Sequence, residues 1–173
     1  MKKIITATGE IISLTDWQKR KGYIINTQLG KYFSTAEKKL SGDFILHEYL
    51  FLILDKLREY AKKPIIINSA YRTELEQREL QKNNEGAVSN SPHVWGLAID
   101  IDTRNNKETE NYVRILRIIA NELNLKIRLG FTQYQKLGST FIHIDVTPEM
   151  FGVGKPWQHF PNIPIAYKQV IEW

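Results

Sequence analysis

An aspartate set inside an apolar strand limits what this chain can fold into. Leu97-Ala98-Ile99-Asp100-Ile101 reads as a strand interrupted by Asp100, with Asp102 just beyond. Alternation of period two places Leu97, Ile99 and Ile101 on one face and Ala98, Asp100 and Asp102 on the other. A carboxylate inside a buried strand is costly unless it is paired or bound to a metal. The segment is preceded by Ser91-Pro92-His93, and Gly96 permits a turn or a close approach of other backbone. The chain holds only four histidines, so one in so structured a setting calls for a reason. A second strand, Thr140 to Val146, alternates in the same way. Its Phe141, His143 and Asp145 face one side, and Ile142, Ile144 and Val146 the other.

His93, Asp100 and His143 together offer two imidazoles and a carboxylate. That set suits zinc, and three protein ligands leave a fourth position for water. Cysteine is absent, so a metal must be held by His, Asp or Glu, and no disulfide or cysteine nucleophile is available. Asp145, on the same strand face as His143, is placed either to orient an imidazole or to accept a proton. Asp102 is placed to support a ligand in the same way. The competing reading has His93 capping a loop and Asp100 paired with Arg72 or Arg128.

Around these strands the pattern predicts an α+β fold, a small mixed or antiparallel sheet packed against helices. Residues 2 to 14 read as two short strands, Lys3–Thr6 and Ile11–Leu14, with Gly9 in the turn, and Tyr23-Ile24-Ile25 adds a third. Ser34 and Glu37 have capping-box spacing for a helix over Lys31 to Leu40. A long helix is expected from Phe44 to Ala61, capped by Asp43, with Ile45, Leu46, Leu50, Ile53, Leu54 and Leu57 on its broad apolar face. His47 on that helix reads as structural or solvated. Pro64 opens a strand over Ile65 to Ile67, and Thr73 with Glu76 caps a helix from Glu74 to Lys82. Arg72 stands at that strand-to-helix junction, where it meets either a neighbouring acid or a substrate oxygen. A helix over Glu108 to Asn121 and a strand over Leu123 to Leu129 follow. The tail from Thr147 wraps the surface, with His159 in a packing or rim position, and ends in a helix over Ile165 to Glu172.

Length and composition bound the rest. At 173 residues, 42% apolar and 25% charged, the chain closes one core as a single domain. Residues 1–30 form accessory strands, 31–147 the core and 148–173 the tail. The net charge of +5 is too mild and too scattered to imply nucleic-acid binding, and no arginine-rich helix or zinc-finger spacing supports it. The longest strongly apolar run, Tyr49 to Leu54, is far too short to span a bilayer. In MKKIITATGEII the apolar stretch is broken by Thr, Gly and Glu, so synthesis in the cytoplasm without a signal peptide is expected.

Three ordered motifs carry a family resemblance. Ser91-Pro92-His93-Val94-Trp95-Gly96-Leu97-Ala98-Ile99-Asp100 resembles the first metal-binding motif of the peptidase M15 family, zinc D-alanyl-D-alanine carboxypeptidases and related phage endolysins. Ser69-Ala70-Tyr71-Arg72-Thr73 resembles its arginine-containing motif, and Phe141-Ile142-His143-Ile144-Asp145-Val146 its last one. The resemblance spans roughly residues 40 to 147. It implies zinc on His93, Asp100 and His143, substrate binding by Arg72, and hydrolysis of peptidoglycan peptides containing D-amino acids. It also implies possible partnership with a holin or phage-particle proteins, with action on the wall after release; a monomer is expected. One position departs from the pattern. Many members carry an acidic base three residues before the last ligand, and here that residue is Thr140. Either Asp145 or another acid takes that role, or the chain is a non-catalytic, wall-peptide-binding or phage structural module of the same fold.

Overall fold

The computed structural model describes residues 2–22, 44–83, 91–131, 138, 140–151 and 171–172. Two sheets and the helices packed on them form one α+β domain around a continuous apolar core running from Ile4 and Trp17 through Leu50 and Leu116 to Ile144. The smaller sheet orders its strands β2-β1-β3, with β1 (Lys2–Ile5) antiparallel to β2 (Ile11–Ser13) and parallel to β3 (Phe44–His47). The larger is antiparallel: β4 (Ile67–Ser69), β5 (Ala98–Asp102), β7 (Phe141–Asp145), β6 (Arg128–Gly130) and β8 (Ile171–Glu172), in that spatial order.

Local chemistry sets where the helices start. Ser13 accepts from the Asp16 N–H and opens α1 (Leu14–Lys21). His47 Nδ1 accepts from the Tyr49 N–H and opens α2 (Glu48–Ala61). Thr73 and Glu76 make the expected reciprocal capping box on α3 (Glu74–Lys82). Asn105 caps α4 (Asn106–Leu123), which packs on α2. A short helix, α5 (Thr147–Phe151), follows β7.

Several sequence expectations move. Phe44 to His47 is strand rather than the first turn of the long helix, and the helix cap is His47. The parallel ladder to β1, from Lys2↔Phe44 to Ile5↔His47, takes those residues. Leu14 opens a helix instead of ending a strand. The strand expected at Ile65–Ile67 lies two residues later, over Ile67–Ser69, where it pairs with Ile101 and Asp100. The helix expected to end at Asn121 runs to Leu123, and the strand after it is confined to Arg128–Gly130. Ile171 and Glu172 are strand, paired with β6, where a helix was expected. The strand at Tyr23–Ile25, the helix at Lys31–Leu40, its successor's cap Asp43, and His159 lie outside the described residues.

The two sheets meet next to the His93 segment. The amino-terminal layer is tied to α2 by Glu48, a buried carboxylate that accepts from the Ala7 N–H and from Trp17 Nε1, each at 2.6 Å, and pairs with Lys21 at 3.3 Å. Burial alone would raise the Glu48 pKa, but these donors outweigh it and hold it below the usual carboxylate range. One residue along, the His47 N–H donates to the Gly96 carbonyl at 2.8 Å.

Gly96 sits at φ +67°, and a Cβ there would come within 2.8 Å of the Ile45 carbonyl oxygen and 3.2 Å of Ile5 Cδ1. Gly96→Ala therefore combines a left-handed backbone with a clash against main chain. The expected loss is at least about 1–2 kcal/mol in denaturant unfolding. An unchanged midpoint would show that the two sheets are not pressed together at this turn.

Candidate metal centre

The position of His93 is set by its own short turn. Ser91 accepts from the His93 N–H at 3.4 Å and starts a 3-10 turn, Pro92–Trp95, which Gly96 ends. Proline at the first position suits such a start, since its missing N–H would have no partner there. Arg72 N–H donates to the His93 carbonyl at 3.2 Å, linking the arginine loop to this turn. His93 Nδ1 donates to the Ala70 carbonyl at 2.7 Å. That bond places the proton on Nδ1 and leaves the Nε2 lone pair facing Asp100 Oδ2, 3.3 Å away.

The other two donors come from strand pairing. Asp100 on β5 lies directly opposite His143 on β7, so their side chains share a face. His143 Nδ1 is 2.8 Å from Asp100 Oδ1. One donor atom from each of His93, Asp100 and His143 falls within 4.8 Å of the others, and all three residues are buried. A tetrahedral ion with bonds of about 2.0 Å sets its ligand atoms roughly 3.3 Å apart, so small side-chain adjustments would seat one. The donor set fits a metal ion: nitrogen and carboxylate oxygen, no sulfur, with three protein ligands.

Arg72 stands beside this cluster. Its Nη2 lies 3.5 Å from Asp100 Oδ2 and donates to Ser69 Oγ, and its Nη1 donates to the buried Gln77 at 3.3 Å. The guanidinium thus meets an acid at the edge of the proposed ion position. Arg128 does not reach Asp100 in the way the competing reading allowed. It pairs instead with Asp145, Nε to Oδ2 at 2.9 Å and Nη2 to Oδ1 at 3.0 Å. Asp145 Oδ2 also receives His143 Nε2 at 3.2 Å.

Charge balance follows this geometry. Burial would raise Asp100, but the flanking imidazoles, His93 first, outweigh it and hold the carboxylate well below its usual range. Burial would lower His143, yet its hydrogen bonds to Asp100 and then Asp145 push it up to about 9. Burial lowers His93, and the Arg72 and His143 charges add to that against the opposing pull of Asp100. Asp145 would also rise on burial, but the Arg128 guanidinium holds it low.

Other sequence candidates fall elsewhere. Asp102 accepts from Asn68 Nδ2 at 3.4 Å and is not among the clustered donors. His47 is fully buried at the start of α2. Its Nε2 meets no hydrogen-bond partner among the described residues, and burial pushes its pKa down to about 4. Thr140 donates its hydroxyl to the Thr103 carbonyl. Sequence reasoning missed Ser69, Gln77 and Thr147 as supports, and it treated Arg128 only as an alternative partner of Asp100. The one available signal for Arg128 was a cation within Leu125-Lys126-Ile127-Arg128-Leu129.

Two strands and one short turn bring two imidazoles and a carboxylate to one point on an α+β fold, which defines a candidate metal-binding class of protein. Comparison with known proteins narrows it. The chain belongs to the peptidase M15 family, whose model matches residues 23–145, more than two thirds of its length. The crystal structure of the L-Ala D-Glu endopeptidase ChiX of Serratia marcescens has a similar fold, with a TM-score of 0.51 and 16% identity over 62% of this chain and 85% of that one. No curated protein sequence matches the chain.

A metal must displace the proton that His143 carries below about pH 9. Affinity for a divalent ion is therefore expected to rise about tenfold per pH unit between about pH 7 and 8, with about one proton released, and to flatten above about 9. Competition with a chelator of known pH behaviour measures this. Affinity independent of pH would remove protonated His143 as the competitor.

Proposed function

We propose that this chain is a zinc-dependent peptidase that hydrolyses D-amino-acid-containing peptide bonds of peptidoglycan, as a carboxypeptidase or an endolysin-type endopeptidase. The observation that carries the reading is the convergence of His93, Asp100 and His143 beside Arg72 in a chain of the peptidase M15 family. Zinc is the favoured ion because two imidazoles and one carboxylate match its preferences and leave a coordination position open. When bound, it supplies Lewis-acid chemistry, polarising a carbonyl and activating water for attack.

The protein's own residues do the rest. The Ala70 carbonyl fixes the tautomer of His93, and Asp100 lies between the two imidazoles. Arg72 presents a guanidinium next to the reacting centre, where it binds a carbonyl oxygen or terminal carboxylate of the substrate. Ser69 and Gln77 hold that guanidinium in place. Among the described residues no helix is long and apolar enough to cross a membrane. On this reading a partner such as a holin gives the chain access to the wall, where it acts as a monomer.

A second reading is favoured by Thr140. A hydroxyl committed to the Thr103 carbonyl stands where many relatives are expected to carry an acidic base. On that reading the chain is a binding module that holds wall peptide without cutting it.

Zinc-loaded protein incubated with purified peptidoglycan should release new amine termini, and His93→Ala should release none. Arg72→Ala should lower kcat/KM by roughly 100-fold or more if the guanidinium stabilises developing charge. Retention of the protein on peptidoglycan without new termini, across several wall types and pH values, would replace the peptidase by the binding module.

A further inference from the structure

The geometry points to Arg128 and Thr147 as positioning residues that act through Asp145 to hold His143 with its Nδ1 toward the metal. This inference rests on the metal-site reading proposed above, and it concerns residues that touch neither the ion nor a substrate.

Arg128 is fully buried at the start of β6, directly opposite Asp145 on β7. Its two-pronged pairing with Asp145 uses both carboxylate oxygens. Oδ1 also receives the Thr147 N–H at 3.0 Å and the Thr147 hydroxyl, and Arg128 Nη2 reaches the same hydroxyl. Two residues thus fix the plane of the Asp145 carboxylate. What remains of Oδ2 faces His143 Nε2 at 3.2 Å.

A charged, fully engaged carboxylate can only accept. Once a metal has taken Nδ1, the single remaining imidazole proton must lie on Nε2 and point at Asp145. The carboxylate therefore selects the tautomer that leaves the Nδ1 lone pair facing Asp100 and the ion. With both oxygens already receiving donors, Asp145 is better placed to hold His143 than to shuttle a proton. A buried arginine serves this better than lysine, because its planar fork matches both oxygens at once.

Asp145→Asn is the informative variant because it is nearly isosteric. The amide oxygen belongs at the Oδ1 position, where the Thr147 N–H and Arg128 Nη2 donate. The NH2 then replaces Oδ2 and faces His143, which must accept at Nε2 and so carry its proton on Nδ1. A proton on Nδ1 occupies the atom that the metal needs.

The experiment compares the full chain with Asp145→Asn, Arg128→Gln, Arg128→Lys and Thr147→Val. Each is measured for zinc affinity by chelator competition, for His143 tautomer by imidazole 15N NMR, and for metal-free unfolding as a folding control. Asp145→Asn and Arg128→Gln should weaken zinc binding by about 10- to 100-fold. Asp145→Asn should also strip the proton from His143 Nε2 and leave one on Nδ1, Arg128→Lys should restore binding only in part, and Thr147→Val should lose several-fold while staying folded. Unchanged zinc affinity and tautomer in Asp145→Asn and Thr147→Val would overturn the positioning role while leaving the metal site standing. A wild-type chain that binds no zinc would overturn both.

Discussion

The site depends on one register. In the β5–β7 ladder Asp100 lies opposite His143, Ala98 opposite Asp145 and Asp102 opposite Phe141. Because side chains alternate, a slip of one residue would move His143 to the apolar face and break the cluster. The register is enforced from the other side of the sheet, where Ile99 pairs with Ile144 and Ile101 with Ile142 in the buried core. Apolar burial on one face thus fixes the polar chemistry on the other. The neighbouring strands extend the same rows. Ser69 lies across from Asp100, Gly130 across from His143 and Arg128 across from Asp145.

That arrangement explains what the sequence could reveal. Alternation within Leu97–Asp102 and Thr140–Val146 was enough to assign faces, because the period is a local property of the strand. The capping box at Thr73 and Glu76 was legible for the same reason, since donor and acceptor lie three residues apart. The Phe44–His47 strand was not. Its apolar residues also suit a helix, and only pairing with a segment some forty residues away decides for strand. Arg128 was obscured similarly. Arg128 alternates with apolar residues and shares that stretch with Lys126, so nothing marked it as the buried one or named its partner, and two buried acids were available. The register of β6 against β7 selects Asp145.

Electrostatics on the polar face are paired throughout. Arg72 meets Asp100 and Arg128 meets Asp145, with His143 between the two acids. Buried ions placed this way gain little net stability over apolar packing, but removing one partner leaves an uncompensated charge. Such a face is better understood as preorganisation for a ligand than as a source of stability. A divalent ion held by His93, Asp100 and His143 would take the place of the proton between His143 Nδ1 and Asp100, while Asp145 would keep the one on Nε2.

The departure at Thr140 follows from the same ladder. Just beyond the Asp102↔Phe141 pair, the Thr103 N–H and hydroxyl both donate to the Thr140 carbonyl, at 2.7 and 2.6 Å. The Thr140 hydroxyl donates back to the Thr103 carbonyl. Two threonines thus close the ladder by reciprocal bonds between side chain and backbone. A carboxylate at 140 would keep the backbone but could only accept, and would face the Thr103 carbonyl without a proton to offer it. Thr140 therefore serves the end of the strand pair. Placing a glutamate there would exchange a strand-end clasp for a half-buried charge near a carbonyl, so Thr140 cannot be judged as a catalytic position independently of Thr103.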